Sequence, residues 1–318
     1  MRLLAAPDKF RGTLTAHQAA VVIAAGAERA GWSADELPLA DGGEGTLEVL
    51  GGGNRRTAVT GPLDEQVHAA WRLEDDGTAL IEAAQVCGLT LAGGPERNDP
   101  LRATSRGVGE LIAAAVAGGA TRIVVCVGGV ASTDGGVGAV EALPTTLPVP
   151  LEVACDVEAC FLDAADVFAP QKGATPEQVR ILRERLAQLD VPDLPGAGAA
   201  GGLAGGLAAV GARLVAGFDL VACRLGFDEK LADADLVVTG EGRLDATSFT
   251  GKVVGHVLER AATAGVETLV LAGEVAANSP IGAVSLIERY GPERALAEPA
   301  ECLAELVETA LAERRAEP

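Results

Sequence analysis

Four turns rich in glycine and acid stand where strands are expected to end. They are Ala6-Pro7-Asp8-Lys9, Asp41-Gly42-Gly43-Glu44-Gly45, Asp134-Gly135-Gly136 and Gly240-Glu241-Gly242-Arg243-Leu244-Asp245. Glycine lets backbone N–H groups approach phosphate oxygens, and a following helix N-terminus adds a favourable dipole. Carboxylates beside such turns can hold a hard cation or take a proton from a hydroxyl. In parallel α/β sheets, ligands bind beyond the carboxyl ends of the strands. One such turn is weak evidence, because ordinary connecting loops also use Asp and Gly. Four together point to a site that handles phosphate.

The cations fit the same chemistry. Only four lysines are present, Lys9, Lys172, Lys230 and Lys252, and all except Lys230 adjoin glycine or proline turns. An ammonium acts as a compact point charge on phosphate. Lys230 lies in an acidic, helix-like run and reads as a solvated surface residue. His17, His68 and His256 fall in a capping turn, a strand and a helix, with no nucleophile–base setting around them, and read as structural. Carboxylates are the better candidates for proton and metal chemistry. Phosphoryl transfer to a hydroxyl needs a positioned base, a magnesium ligand and cations on the phosphates. No GxxxxGKS/T sequence is present, and Gly251-Lys252 matches only its tail. Residues 196–201 fit GxGxxG but follow Asp193-Leu194-Pro195 instead of a strand, so the dinucleotide fingerprint lacks its context.

Length and composition bound the rest. A chain of 318 residues with 48% hydrophobic residues suits two domains with substantial cores. Its formal charge of −20 argues against a general nucleic-acid or anionic-membrane binder. Any anionic substrate must therefore be gripped by local positive groups. The six cysteines show no CxxC pair and no zinc spacing, which suits free thiols in a reducing cytosol. The start of the chain lacks a signal-peptide core, and no apolar stretch reaches the roughly 18 residues of a membrane span. A cytoplasmic location is expected.

Strand-like and helix-like runs alternate, which predicts an α/β protein with a largely parallel sheet. Strands are expected at 2–6, 37–40, 122–127, 151–155, 236–239 and 268–272. Asp75-Asp76-Gly77 predicts a hairpin between 67–73 and 78–83. Thr15 with Gln18, and Thr175 with Pro176 and Gln178, predict capped helix starts. Residues 196–211 are rich in glycine and alanine, but Leu203, Leu207 and Val210 keep helical spacing, so a tightly packed helix is expected.

The motifs also occur together, in order, in one family. APDKFRGTLTA (6–16), PLADGGEGT (38–46), RNDPLRATSRGVGELI (97–112), VGGVASTDGG (127–136), ACDV (154–157), VFAPQKGAT (167–175) and ADLVVTGEGRLDATSFTGK (234–252) resemble the type I bacterial glycerate kinases. The resemblance implies a Rossmann-like parallel-sheet domain built from both chain ends, 1–57 plus 225–318. It also implies an inserted mixed α/β, flavodoxin-like domain at 58–224. ATP, with Mg2+, would phosphorylate D-glycerate, giving 2-phosphoglycerate. The alternatives are a kinase for a related small hydroxy acid, or a catalytically weak binding or regulatory member of the fold. The expected partners are therefore ATP and a small hydroxy acid, with no nucleic acid and no membrane; a homodimer is left open.

The resemblance and the turns together assign expected roles. Asp245, Asp41 and Lys9 are the catalytic candidates. Arg11, Asp8, Arg106, Arg243 and Thr133 are expected at the acceptor acid. Gly42, Gly43, Gly45, Gly135, Gly136, Lys172 and Lys252 are expected at ATP phosphates, and Asp156 and Asp134 at the metal. The chain departs from the family pattern at Val130 and Thr133, where Ser and Asn are usual. It departs again at Thr247-Ser248, where Gln-Thr is usual, and after Asp156-Val157, where the usual Asn-Pro is missing.

Overall fold

The computed structural model describes residues 1–144 and 146–316. In chain order the strands are β1 (Arg2–Ala5), β2 (Ser33–Glu36), β3 (Arg55–Thr60), β4 (Gln66–Leu73), β5 (Thr78–Glu82), β6 (Arg122–Cys126), β7 (Leu151–Ala154), β8 (Arg213–Val215), β9 (Leu236–Leu244), β10 (Glu267–Val275) and β11 (Val284–Ser285). The fold is α/β, with one parallel sheet and one mixed sheet. The chain divides into two compact units, Met1–Asp41 with Phe218–Pro318, and Gly42–Gly217. Both breaks fall earlier than the expected 57/58 and 224/225. One reason is visible at Glu82: its carboxylate accepts the Gly45 and Leu47 amides at 3.1 and 2.9 Å, which ties the DGGEG turn to β5.

The first unit holds a five-stranded parallel sheet in the order β11-β10-β9-β1-β2. The aliphatic runs of β1 and β9 are buried, as befits central parallel strands covered on both faces. From β1 the chain passes through the helix Ala16–Arg29 to β2 on one side. From β9 it passes through the helix Val253–Ala264 to β10 on the other side. The winding therefore reverses between β1 and β9, the place where such sheets open a ligand crevice. Thr15 and Gln18 form the expected capping box of the first helix. That helix packs closely on Pro299–Ala316, since a Cβ at Gly26 would lie 2.6 Å from the Ala304 carbonyl oxygen.

Two strand expectations are corrected. The second strand is Ser33–Glu36, not 37–40. Residues 33–36 are polar because β2 is an edge strand, paired only with β1. The apolar residues after it still run beside the first strand, with the Leu37 and Leu39 amides donating to Ala5 and Pro7 oxygens. Secondly, Gly240 to Leu244 is not a turn but the continuation of β9. Glycine permits that because its neighbours are close: a Cβ would lie 2.1 Å from Leu271 O at Gly240 and 2.7 Å from Arg11 N at Gly242.

The second unit holds a six-stranded sheet, β3-β4-β5-β6-β7-β8. The β3–β4 and β4–β5 pairs are antiparallel, and the pairs from β5 to β8 are parallel. The expected Asp-Asp-Gly hairpin joins β4 to β5, with Gly77 at positive φ. Trp71, Ile81, Leu111, Ile123 and Leu203 are among the residues of its core. Of the Gly/Ala-rich segment, Leu203–Ala209 is helical. All six cysteines are free. No helix among the described residues is long and apolar enough to cross a membrane.

Candidate active site

The richest set of predicted residues gathers at the carboxyl ends of the first unit's sheet. Asp8 follows β1, and its amide donates to Gly240 O at 2.9 Å, across the β1/β9 switch point. Its Oδ1 accepts the Lys9 amide at 2.7 Å. Burial, with the charge of Asp41 and a smaller push from Glu241, drives the Asp8 carboxyl up to about 7, against the pull of Lys9. Asp41 is brought there by the 37–40 segment running beside β1. Thus Asp8, Lys9, Asp41 and Glu241 share one electrostatic neighbourhood.

From the other side the end of β9 supplies Glu241, Arg243 and Asp245. Asp245 caps the short turn Ala246–Phe249. Its Oδ1 accepts the Thr247 amide at 2.8 Å and the Thr247 hydroxyl at 2.6 Å. Those bonds, with Lys252 and Arg243 nearby, hold Asp245 below the usual carboxylate range. Lys252 directly precedes the helix Val253–Ala264, and its Nζ donates to Thr247 Oγ1 at 2.8 Å. The Ser248 hydroxyl accepts the Asp245 amide at 3.0 Å and donates to Glu241.

Glu241 stands in the fourth of the glycine–acid turns but carries no role among the expected site residues. It is 8% exposed, and its Oε1 has no hydrogen-bond partner among the described residues. Burial pushes its carboxyl up; Ser248 and Lys252 oppose, while Asp245 and Asp41 add to the rise. The sequence does carry a signal for it. A single acid flanked by glycines follows the apolar run Leu236–Val238. Ser248, also missed, carried no signal beyond its departure from the family pattern.

A second set of predicted residues gathers in the other unit, but there the groups are spent on the fold. Asp134 Oδ2 accepts the Ser105 amide and hydroxyl, both at 2.8 Å, and the Gly138 amide at 3.3 Å. Its Oδ1 accepts the Gly136 amide at 3.1 Å, so this carboxylate joins two helix starts. The Gly135 amide donates to Gly201 O, and both glycines are buried, so neither amide is presented to phosphate. Lys172 is 4% exposed; its Nζ donates to Ser132 O at 2.5 Å and lies 3.4 Å from Thr133 Oγ1. Burial pushes this amine down to about 8. A lysine enclosed in this way braces the 130–134 loop, and Thr133, 2% exposed, is likewise interior. In each case a turn-like residue is packed under other elements.

The remaining predicted residues have their own local surroundings. Arg106 is exposed on the helix Arg106–Ala117 and pairs with Glu110 at 3.1 Å. The Gly45 amide is taken by Glu82, whereas Gly42 is drawn tightly against the chain, with a Cβ there 2.8 Å from Gly217 Cα. Gly43 packs against Gly128 with similar closeness. Arg11 is exposed on the turn after Lys9. Asp156 is half-buried just past β7, and its Oδ1 accepts the Gly217 amide at 2.7 Å. No group of three or more His, Cys, Asp or Glu side chains placed to hold a metal ion occurs among the described residues.

Known proteins resemble this chain along most of its length. An Escherichia coli glycerate 2-kinase is 38% identical over 305 residues, covering 80% of each chain. A Bacillus subtilis glycerate kinase is 37% identical, covering 88% of this chain and 86% of its own. A solved structure of a candidate glycerate kinase 2 from Salmonella typhimurium superposes with a TM-score of 0.77 at 33% identity, covering 99% of this chain and 98% of that one. The profile of the glycerate kinase family matches residues 3–148 and 144–312, and the chain belongs to that family.

Proposed function

We propose that the protein transfers the γ-phosphoryl group of ATP to D-glycerate, giving 2-phosphoglycerate. The observation that carries this reading is the meeting of carboxylates and lysines at the β1/β9 switch point. There Asp8, Asp41, Glu241 and Asp245 act on one another and on Lys9 and Lys252. Lys252 and the amides at the start of the helix behind it suit a phosphate group, combining a point charge with a helix N-terminus. Lys9 offsets charge built up during transfer. Asp41 and Asp245 orient the acceptor and its neighbours. Arg11 or Arg243, both exposed, grips the glycerate carboxylate.

Magnesium accompanies ATP in this reading. It asks for one or two protein carboxylates in addition to phosphate oxygens. Asp156, in the second unit, has the donor chemistry, a carboxylate whose Oδ1 also accepts the Gly217 amide. Asp134 does not fit, because both its oxygens are engaged. When bound, the ion would neutralise charge on the phosphates.

Phosphorus NMR after incubation with ATP, magnesium and D-glycerate tests the proposal. The expected product is 2-phosphoglycerate, with no product when magnesium is chelated. Phosphorylation of another hydroxy acid but not of glycerate would transfer the reading to that acid. The Thr247-Ser248 departure, next to the proposed phosphate lysine, is the observation that favours such a shift.

A further inference from the structure

We propose that Glu241 takes the proton from the acceptor hydroxyl during phosphoryl transfer. This rests on the reading of the site as a phosphotransferase. The first support is position. Glu241 lies near the end of β9, next to the Gly240 carbonyl that Asp8 bonds, at the point where the winding of the sheet reverses. The second is its unmet bonding. The side chain is 8% exposed, one oxygen receives Ser248, and Oε1 has no partner among the described residues. Leaving a buried acceptor unsatisfied forfeits its hydration without return, so the fold carries this group at a loss. Its carboxylate feels the charges of Lys252, Asp245 and Asp41, and Asp8 in turn feels Glu241. Its surroundings are thus the charged groups of the cluster together with Ser248.

The comparison with Asp245 decides between the two acids of this strand end. Asp245 Oδ1 is occupied by two bonds from Thr247, which stabilise its anion and weaken it as a base. Burial works the other way on Glu241. Two neighbouring carboxylates pushed in opposite directions divide the labour of a permanent anion and a proton acceptor.

The step balances simply. The acceptor O–H bond breaks and its proton passes to Glu241. The acceptor oxygen forms a bond to the γ-phosphorus, and the bond from that phosphorus to the bridging oxygen breaks. ADP leaves with the electron pair, and Glu241 later returns the proton to water.

The test is steady-state kinetics of Glu241→Gln, a substitution that keeps the shape and can still accept from Ser248. We expect kcat to fall about 100-fold or more, within the range set by loss of a general base. KM values for acid and nucleotide should stay within about threefold. The wild-type rate should fall at acidic pH as Glu241 is protonated, and that limb should vanish in the variant. Ser248→Ala removes a donor to the ionised carboxylate, so its limb should move to higher pH. The Ser248→Ala shift carries the test if circular dichroism shows that the Gln variant does not fold. A Gln variant that keeps at least about a third of the wild-type kcat, with the limb intact, overturns the proposal, as does an unshifted limb in Ser248→Ala. A wild type inert toward glycerate but active on another acid sinks the glycerate reading alone, and Glu241 is then tested on that acid. A wild type inert toward every acid removes both.

Discussion

Lys252 Nζ donates to Thr247 Oγ1 at 2.8 Å, and the same hydroxyl donates to Asp245 Oδ1 at 2.6 Å. One small side chain therefore sets the position of a cation and of an anion. Thr247→Val keeps the volume and removes both bonds. It should lower kcat/KM for ATP about tenfold, equivalent to roughly 1.4 kcal/mol, the size of one charged hydrogen bond. Most of the loss should appear in KM. Thr247→Ser should stay near wild type. Initial-rate kinetics with varied ATP check both.

Asp245→Ala removes the cap of the Ala246–Phe249 turn together with the anion beside Lys252. Turnover should fall about tenfold to 100-fold, smaller than for loss of the proton acceptor itself. Stability should fall by only about 1 kcal/mol, the usual worth of a cap. Urea unfolding set beside steady-state rates separates the two effects. A wild-type rate would remove Asp245 from the mechanism.

Asp8 makes a prediction about pH. Its folded carboxyl is raised to about 7 from the ordinary 3.8. The native state then holds a proton that the unfolded state has released. The contribution of Asp8 to stability is full below about 3.8 and is lost as pH rises through about 7. Asp8→Asn removes that loss. The variant should be more stable than wild type at pH 8, by roughly 1–3 kcal/mol, and less active. Denaturant midpoints at pH 5 and pH 8 check the sign, since the gain should shrink at the lower pH.

Lys172 predicts the opposite slope. Its amine is pushed down to about 8 from the ordinary 10.5, so between those values the unfolded chain binds more protons. This residue's contribution therefore makes stability rise with pH across that window. Lys172→Met abolishes the slope and strands the Ser132 carbonyl, at a cost of about 1–3 kcal/mol at neutral pH. KM for ATP should change less than about threefold, because the amine braces a loop and does not reach solvent. Unfolding curves at several pH values, with KM measured on the folded variant, test both parts.

Asp134→Ala should act on stability and not on the metal. It removes one carboxylate that joins the starts of the helices Arg106–Ala117 and Val137–Ala142 through Ser105, Gly136 and Gly138. A loss of about 2–4 kcal/mol is expected for a multiply bonded, part-buried carboxylate. The magnesium concentration for half-maximal activity should be unchanged. A raised magnesium requirement would return Asp134 to the metal site.

What the sequence determined by itself was local or cumulative. The two capping boxes, Thr15 with Gln18 and Thr175 with Gln178, depend on residues three apart, and both formed. The Asp-Asp-Gly hairpin depends on a positive φ that glycine supplies. The aliphatic runs of β1, β6, β9 and β10 announce parallel strands covered on both faces. The ordered motifs, taken together, carried the family. What tertiary structure alone decided was which polar groups remain available. Lys172 and Lys252 both follow glycine or proline turns, yet packing encloses the first and leaves the second half-buried beside Thr247. Asp134 and Asp8 both look like site acids, yet Asp134 is spent on four donors. The polar run 33–36 became a strand only because β1 lay beside it. Glu241 gained its character from Ser248, Asp41, Asp245 and Lys252 closing around it. Burial and partner choice depend on contacts between distant segments, so residue type and spacing along the chain cannot set them.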